Sequence, residues 1–136
     1  MIDVKRRYEG IQTVLGVCGA EGCHFLTLLT IAEEHSGKTF DLIDTIHVCI
    51  DLKYVRPDFY VLKDCEILRL LTGKKWTRKD VEKLPPIGDN DYTEAIYFNP
   101  RTQFHHYRRR YMDTLEHSVT VEEGYIESYR VYTVHD

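Results

Sequence analysis

Gly22-Cys23-His24-Phe25-Leu26-Thr27-Leu28-Leu29-Thr30-Ile31-Ala32-Glu33-Glu34-His35 is the stretch from which the rest of the chain can be read. A glycine-punctuated approach (Gly16, Gly19, Gly22) gives way to Phe25, Leu26, Leu28, Leu29, Ile31 and Ala32, a wide apolar face at helical period. The pattern predicts a helix over 23–35, with Ser36-Gly37 as its stop. A helix apolar over so much of its surface belongs at the centre of the fold. Its first residue is a cysteine. The unpaired N–H groups of the first turn and the positive end of the helix dipole would face that sulfur, and such positions lower a thiol pKa. Cys23 is therefore a candidate nucleophile. The competing reading is an inert core cysteine, the commoner fate of that residue type.

Around this helix the chain orders itself simply. Residues 1–10 are polar and basic and read as an N-terminal arm, and 12–17 is a short apolar piece. A second helix is expected over 40–52, with Thr39 as its N-cap and Cys49 among buried aliphatics. Arg56-Pro57-Asp58 is a turn, and Phe59-Tyr60-Val61-Leu62 a short extended piece. Asp64 caps a third helix over 65–71, which makes Cys65 a second helix-start thiol. After Gly73 the character changes. A segment through Trp76 leads to Pro85-Pro86 and a loop at Gly88-Asp89-Asn90-Asp91. Strands follow over 94–98, 102–112, 118–121 and 125–134, the last pair joined by Glu122-Glu123-Gly124. In the last strand Ser128, Arg130 and Tyr132 alternate with Tyr129, Val131 and Thr133, as one wet face and one dry face would. Helices first and strands afterwards predict an α+β fold, N-terminal helices packed on a C-terminal antiparallel sheet, in one domain over 1–136.

A chain of 136 residues can bury a core of its own, and a 43% hydrophobic share is ordinary for a folded protein. The formal charge of −4 gives no reason to expect nucleic acid, and no apolar run reaches membrane-spanning length. With no secretion signal at the N-terminus the expected compartment is the cytoplasm, where Cys18, Cys23, Cys49 and Cys65 stay reduced. They lack a zinc pattern as well, since no second close Cys/His pair answers Cys18 and Cys23, so neither metal nor cofactor is expected.

A cysteine nucleophile needs a base, and the base needs an orienting partner. His24 is adjacent to the sulfur and points elsewhere, so the base must come from the strand half. There Gln103-Phe104-His105-His106-Tyr107-Arg108 sets two histidines mid-strand, on opposite faces. If Phe104 and His106 share the core face, His106 is the inward one, and Asp113 is the nearest acid beyond it. The plainer alternative is two ordinary sheet histidines, one solvated and one hydrogen-bonded inside.

The run from Gly22 to Glu33 resembles the Gly-Cys-aromatic-Phe opening of small phage and bacterial proteins of the papain-like cysteine peptidase class. Residues 112–121 and 124–132 are similar to their closing hairpin. The resemblance implies a papain-like arrangement, a thiol protease acting on a peptide or isopeptide bond of a peptide or protein substrate, and no cofactor. It places the nucleophile on Cys23, the base on His106 and the orienting acid on Asp113, with His105 as the substitute base. Members carry a Gln before the Cys, where its amide helps hold the oxyanion. Val17 stands at that place here, whereas Gln12 precedes Cys18 by six residues. Cys18-Gly19 in turn resembles the opening of bacteriocin-leader peptidases, which makes Cys18 a rival nucleophile. Gly19 and Gly22 would interrupt a helix begun there.

Arg108-Arg109-Arg110-Tyr111 carries a different option. Arginine beside aromatics can bind phosphate-rich ligands, with Arg108 and Arg110 on one face. A charged strand edge that resists aggregation explains the same residues. The alternative to a hydrolase is thus a non-catalytic binding protein, such as a phage accessory factor, using this Arg/Tyr face or the cleft.

Overall fold

In the computed structural model, which describes residues 22–109 and 124–136, the apolar stretch becomes helix α1 (Cys23–Ser36). Phe25, Leu28, Ile31 and Ala32 are wholly buried, with Leu28 three residues from Phe25 and Ile31 and four from Ala32, so a broad face of the helix turns inward. The helix stops at Gly37, whose φ of +71° returns its N–H to the Glu33 carbonyl. Glycine takes that conformation without the penalty a Cβ would bring.

Helix α2 (Leu42–Asp51) is capped by Asp41, not by Thr39 as the sequence suggested. Asp41 lies in extended backbone, and its carboxylate accepts the Asp44 N–H at 2.8 Å. In helix α3 (Asp64–Thr72) the expected cap, Asp64, is instead the first helical residue, accepting the Cys65 N–H at 2.8 Å. Ile46 and Cys49 of α2 and Ile67 and Leu68 of α3 join that face of α1 in the core. Each large apolar side chain buried there contributes about 1.5–3 kcal/mol.

The second half forms β1 (Lys75–Val81), β2 (Asp91–Phe98), β3 (His105–Arg109) and β4 (Tyr125–His135). They lie in the order β1-β4-β2-β3 with every neighbouring pair antiparallel. The described chain is thus α+β, helices leading and an antiparallel sheet following. Trp76, Tyr132 and Val134 are the sheet's share of the core. The Trp76 indole N–H donates to the Thr72 hydroxyl at 2.7 Å, which ties β1 to the end of α3.

Three local expectations fail for physical reasons. Strand β1 was not foreseen, because Lys-Trp-Thr-Arg-Lys-Asp-Val buries only Trp76 well and is otherwise polar, the dress of an edge strand. Residues 59–62 are not an extended piece: Phe59 turns the chain at φ +67°, with a single bridge between Val55 and Val61. Strand β4 has no wet face along its second half, since Tyr132 is wholly buried and Val131 nearly so. The segments at 12–17 and 118–121 and the turn at 122–123 lie outside the described residues. Among the described residues no helix is long and apolar enough to cross a membrane.

Candidate functional site

Where the start of α1 meets the sheet, a cleft of about 690 Å³ opens between Cys23, His24, Tyr60, His105, Tyr107 and Arg130. Two anchors fix α1 against β3. The Thr27 hydroxyl lies 2.8 Å from the Cys23 carbonyl and 3.2 Å from that of Tyr107, sharing one proton between them. At the far end Arg109, only 3% exposed, donates through Nε to Glu34 at 2.7 Å and through Nη1 to the Thr93 carbonyl. A buried guanidinium holding a helix to two strands is a structural part. Arg109 is thereby removed from any ligand-binding face.

Cys23 is the first residue of α1, buried to 9% exposure but on the cleft wall. Its thiol is not the acidic one that its position suggested. Burial pushes its pKa above the ordinary value, the Tyr107 backbone pulls against that, and the charge of Glu94 adds to the rise. Desolvation of the thiolate outweighs the helix dipole. Cys65, the other helix-start thiol, is pushed up to about 12 by burial and the neighbouring Asp64. Cys49 is pushed up to about 11 by burial alone.

The register of β3 decides which histidine can face the sulfur. Tyr107 lies against α1, its ring 4.8 Å from that of His24, and His105 and Tyr107 both line the cleft. Period-two alternation therefore sends His106 to the opposite face of the sheet, paired with Tyr97 of β2 and 3% exposed. His106 is buried as expected, yet on the side away from Cys23. Phe104, its supposed companion in the core, is 69% exposed on the cleft rim. His105 is the strand imidazole in the cleft, with Nε2 3.2 Å from Oε2 of Glu127 on β4. Arg108 lies with its guanidinium 4.6 Å from the centre of the Tyr97 ring, on the His106 side of the sheet. Gln12, Cys18, Arg110, Tyr111 and Asp113 lie outside the described residues.

Sequence reading passed over the charged network behind the cleft wall. Glu94 of β2 is wholly buried and accepts from His24 Nδ1 at 2.6 Å, while the Tyr132 hydroxyl lies 3.4 Å away. On its other nitrogen, His24 accepts from Arg130 Nη1 at 3.0 Å. A guanidinium cannot accept, so His24 carries its proton on Nδ1 and its lone pair is already engaged. It is no base for Cys23. The Tyr132 hydroxyl also reaches Asp64 at 3.0 Å, and Asp64 receives Arg78 at 2.6 Å. Those bonds and the guanidinium charge hold the Asp64 carboxyl below its usual range despite the burial that opposes them. Two acids and two arginines thus balance there. The available signal was Glu94 itself, an acid leading directly into the apolar run Ala95-Ile96-Tyr97-Phe98.

Among the described residues no group of three or more His, Cys, Asp or Glu is placed to hold a metal ion. Compared with protein-family models, curated proteins and solved structures, the chain matches none.

Proposed function

We propose that the cleft is the site of a small cysteine hydrolase acting on an amide or ester bond of a peptide or protein, with Cys23 as nucleophile, His105 as general base and Glu127 as orienting acid. The observation that carries this reading is that Cys23 and His105 line one cleft while a Glu127 carboxylate oxygen lies 3.2 Å from His105 Nε2. With Nε2 turned to Glu127, His105 keeps Nδ1 for the thiol proton. Because burial keeps the Cys23 thiol protonated at rest, the sulfur must lose its proton as it attacks, and the base matters more than in a preformed thiolate. The sulfur adds to the carbonyl carbon, His105 takes the proton and returns it to the departing amine or alcohol, and a thioester remains. Water then cleaves the thioester with His105 again as base. The first-turn N–H groups of α1 are the donors available to the oxyanion. No cofactor enters these steps.

A second reading keeps the cleft and drops the chemistry. The raised thiol pKa of Cys23 and the engaged lone pair of His24 favour a non-catalytic binding protein. Hydrolysis of p-nitrophenyl acetate separates the two. A hydrolase loses turnover with Cys23→Ala and about a hundredfold or more in kcat with His105→Gln, while His106→Gln leaves kcat within a few-fold. Turnover that survives Cys23→Ala, or is indifferent to His105, refutes the assignment of these residues, and a wild-type protein with no turnover above the uncatalysed rate leaves the binding protein.

A further inference from the structure

We infer that Arg130 is a carboxylate-binding residue of the cleft, which takes a ligand bearing a free carboxylate, either a peptide C-terminus or an acidic side chain. The inference holds whether the cleft hydrolyses its ligand or only binds it. Arg130 projects from β4 onto the cleft wall, its side chain 20% exposed and its guanidinium 5.3 Å from the centre of the Tyr107 ring. Of its five N–H donors, one is hydrogen-bonded among the described residues, to His24 at 3.0 Å. Its two acidic neighbours, Glu94 at 3.9 Å and Asp80 at 4.0 Å, lie beyond hydrogen-bond contact. They balance its charge and leave its donors unspent.

No other charged group on the cleft wall is so placed. Arg78 is committed to Asp64 at 2.6 Å and to Asp80 at 3.1 Å. Asp64 already receives Arg78, Tyr132 and the Cys65 N–H. Asp58 receives Arg56 at 2.5 Å and the Tyr60 N–H at 3.2 Å. Among the charged groups of the wall, Arg130 thus offers a planar fork of donors over the Tyr107 ring, which a carboxylate matches with two parallel bonds. The rim over it is apolar: Tyr60, Leu62 and Phe104 are 62%, 50% and 69% exposed. A ligand closing against that rim would exclude water from the ion pair and strengthen it.

The test titrates short peptides into the isotopically labelled protein and follows the arginine Nε–Hε signals by NMR. N-acetyl-trialanine as free acid and as terminal amide separates a C-terminus from everything else. N-acetyl-Ala-Glu-Ala amide against its Gln counterpart separates an acidic side chain. One acid is expected to move the Arg130 signal and to bind about ten to a hundredfold tighter than its neutral twin, the worth of a charge-assisted pair. Arg130→Gln should abolish that preference and Arg130→Lys should keep part of it, both with unfolding transitions checked. An Arg130 signal indifferent to both acids in the wild-type protein overturns the inference, as does a preference that survives Arg130→Gln.

Discussion

Removing Glu94 should unsettle this protein more than removing any exposed acid. Its carboxylate is wholly buried, accepts from His24 at 2.6 Å, and faces the Arg130 guanidinium at 3.9 Å and the Tyr132 hydroxyl at 3.4 Å. Glu94→Ala leaves an arginine, an imidazole N–H and a phenol around a hole. Breaking a buried ion pair by deleting one partner costs about 3–5 kcal/mol, because the surviving charge stays desolvated. Glu94→Gln keeps the volume and an acceptor for His24 but gives up the charge, so a smaller loss of about 1.5–3 kcal/mol is expected. Against a total stability of about 5–15 kcal/mol, the alanine variant would lose about a fifth of the margin at the least, and most of it at the lower end of that range. Urea unfolding followed by tryptophan fluorescence measures both, since Trp76 is buried in the same core. A loss below about 1 kcal/mol for Glu94→Ala at unchanged m-value would refute the reasoning, for it would mean that the acid neutralises nothing.

Other outcomes follow from single contacts. Cys49, pushed up to about 11, keeps in the folded protein a proton that the unfolded chain releases above the ordinary thiol value of 9.0. That stability is complete below about pH 9 and is lost as pH rises from there toward 11, with the raised thiols of Cys23 and Cys65 acting in the same direction; unfolding midpoints taken under reducing conditions should fall over that window, and less steeply for Cys49→Ala. Thr72→Val should cost about 1–3 kcal/mol, since it strips the Trp76 indole N–H of its acceptor, and a neutral result in urea titration would show water doing the work. Gly73 ends α3 at φ +73° with open space around it, so Gly73→Ala meets no clash and should cost about 1 kcal/mol of backbone strain, read as a shift in thermal midpoint. Asp41→Ala should cost about 1 kcal/mol through the lost cap of α2.

The sequence made the layered order legible because α1 repeats its apolar residues at helical period and the second half is rich in β-branched and aromatic residues between turn signals. Strand β1 was hidden for the reason that edge strands generally are. A polar strand needs its neighbour, here β4 with Trp76 opposite Val134, to exist at all. The cleft was half legible. Cys23 at the head of the most apolar helix drew attention for the right geometric reason, but the dipole argument omitted desolvation, and desolvation wins. The choice between His105 and His106 turned on one residue of register, which local sequence cannot set when both neighbours are aromatic. Glu94, Arg130 and Glu127 were missed because long-range pairings create their roles. His24 meets Arg130 across 106 positions of chain.

The rate at which iodoacetamide labels Cys23 at neutral pH, compared among wild type, His105→Gln and His106→Gln, goes straight to the pairing of sulfur and imidazole. Labelling should slow about tenfold or more with His105→Gln, at the lower end of what a positioned base supplies, and stay within a few-fold with His106→Gln. Equal rates in all three proteins would contradict the assignment, and a loss confined to His106→Gln would move the base to the other face of the sheet.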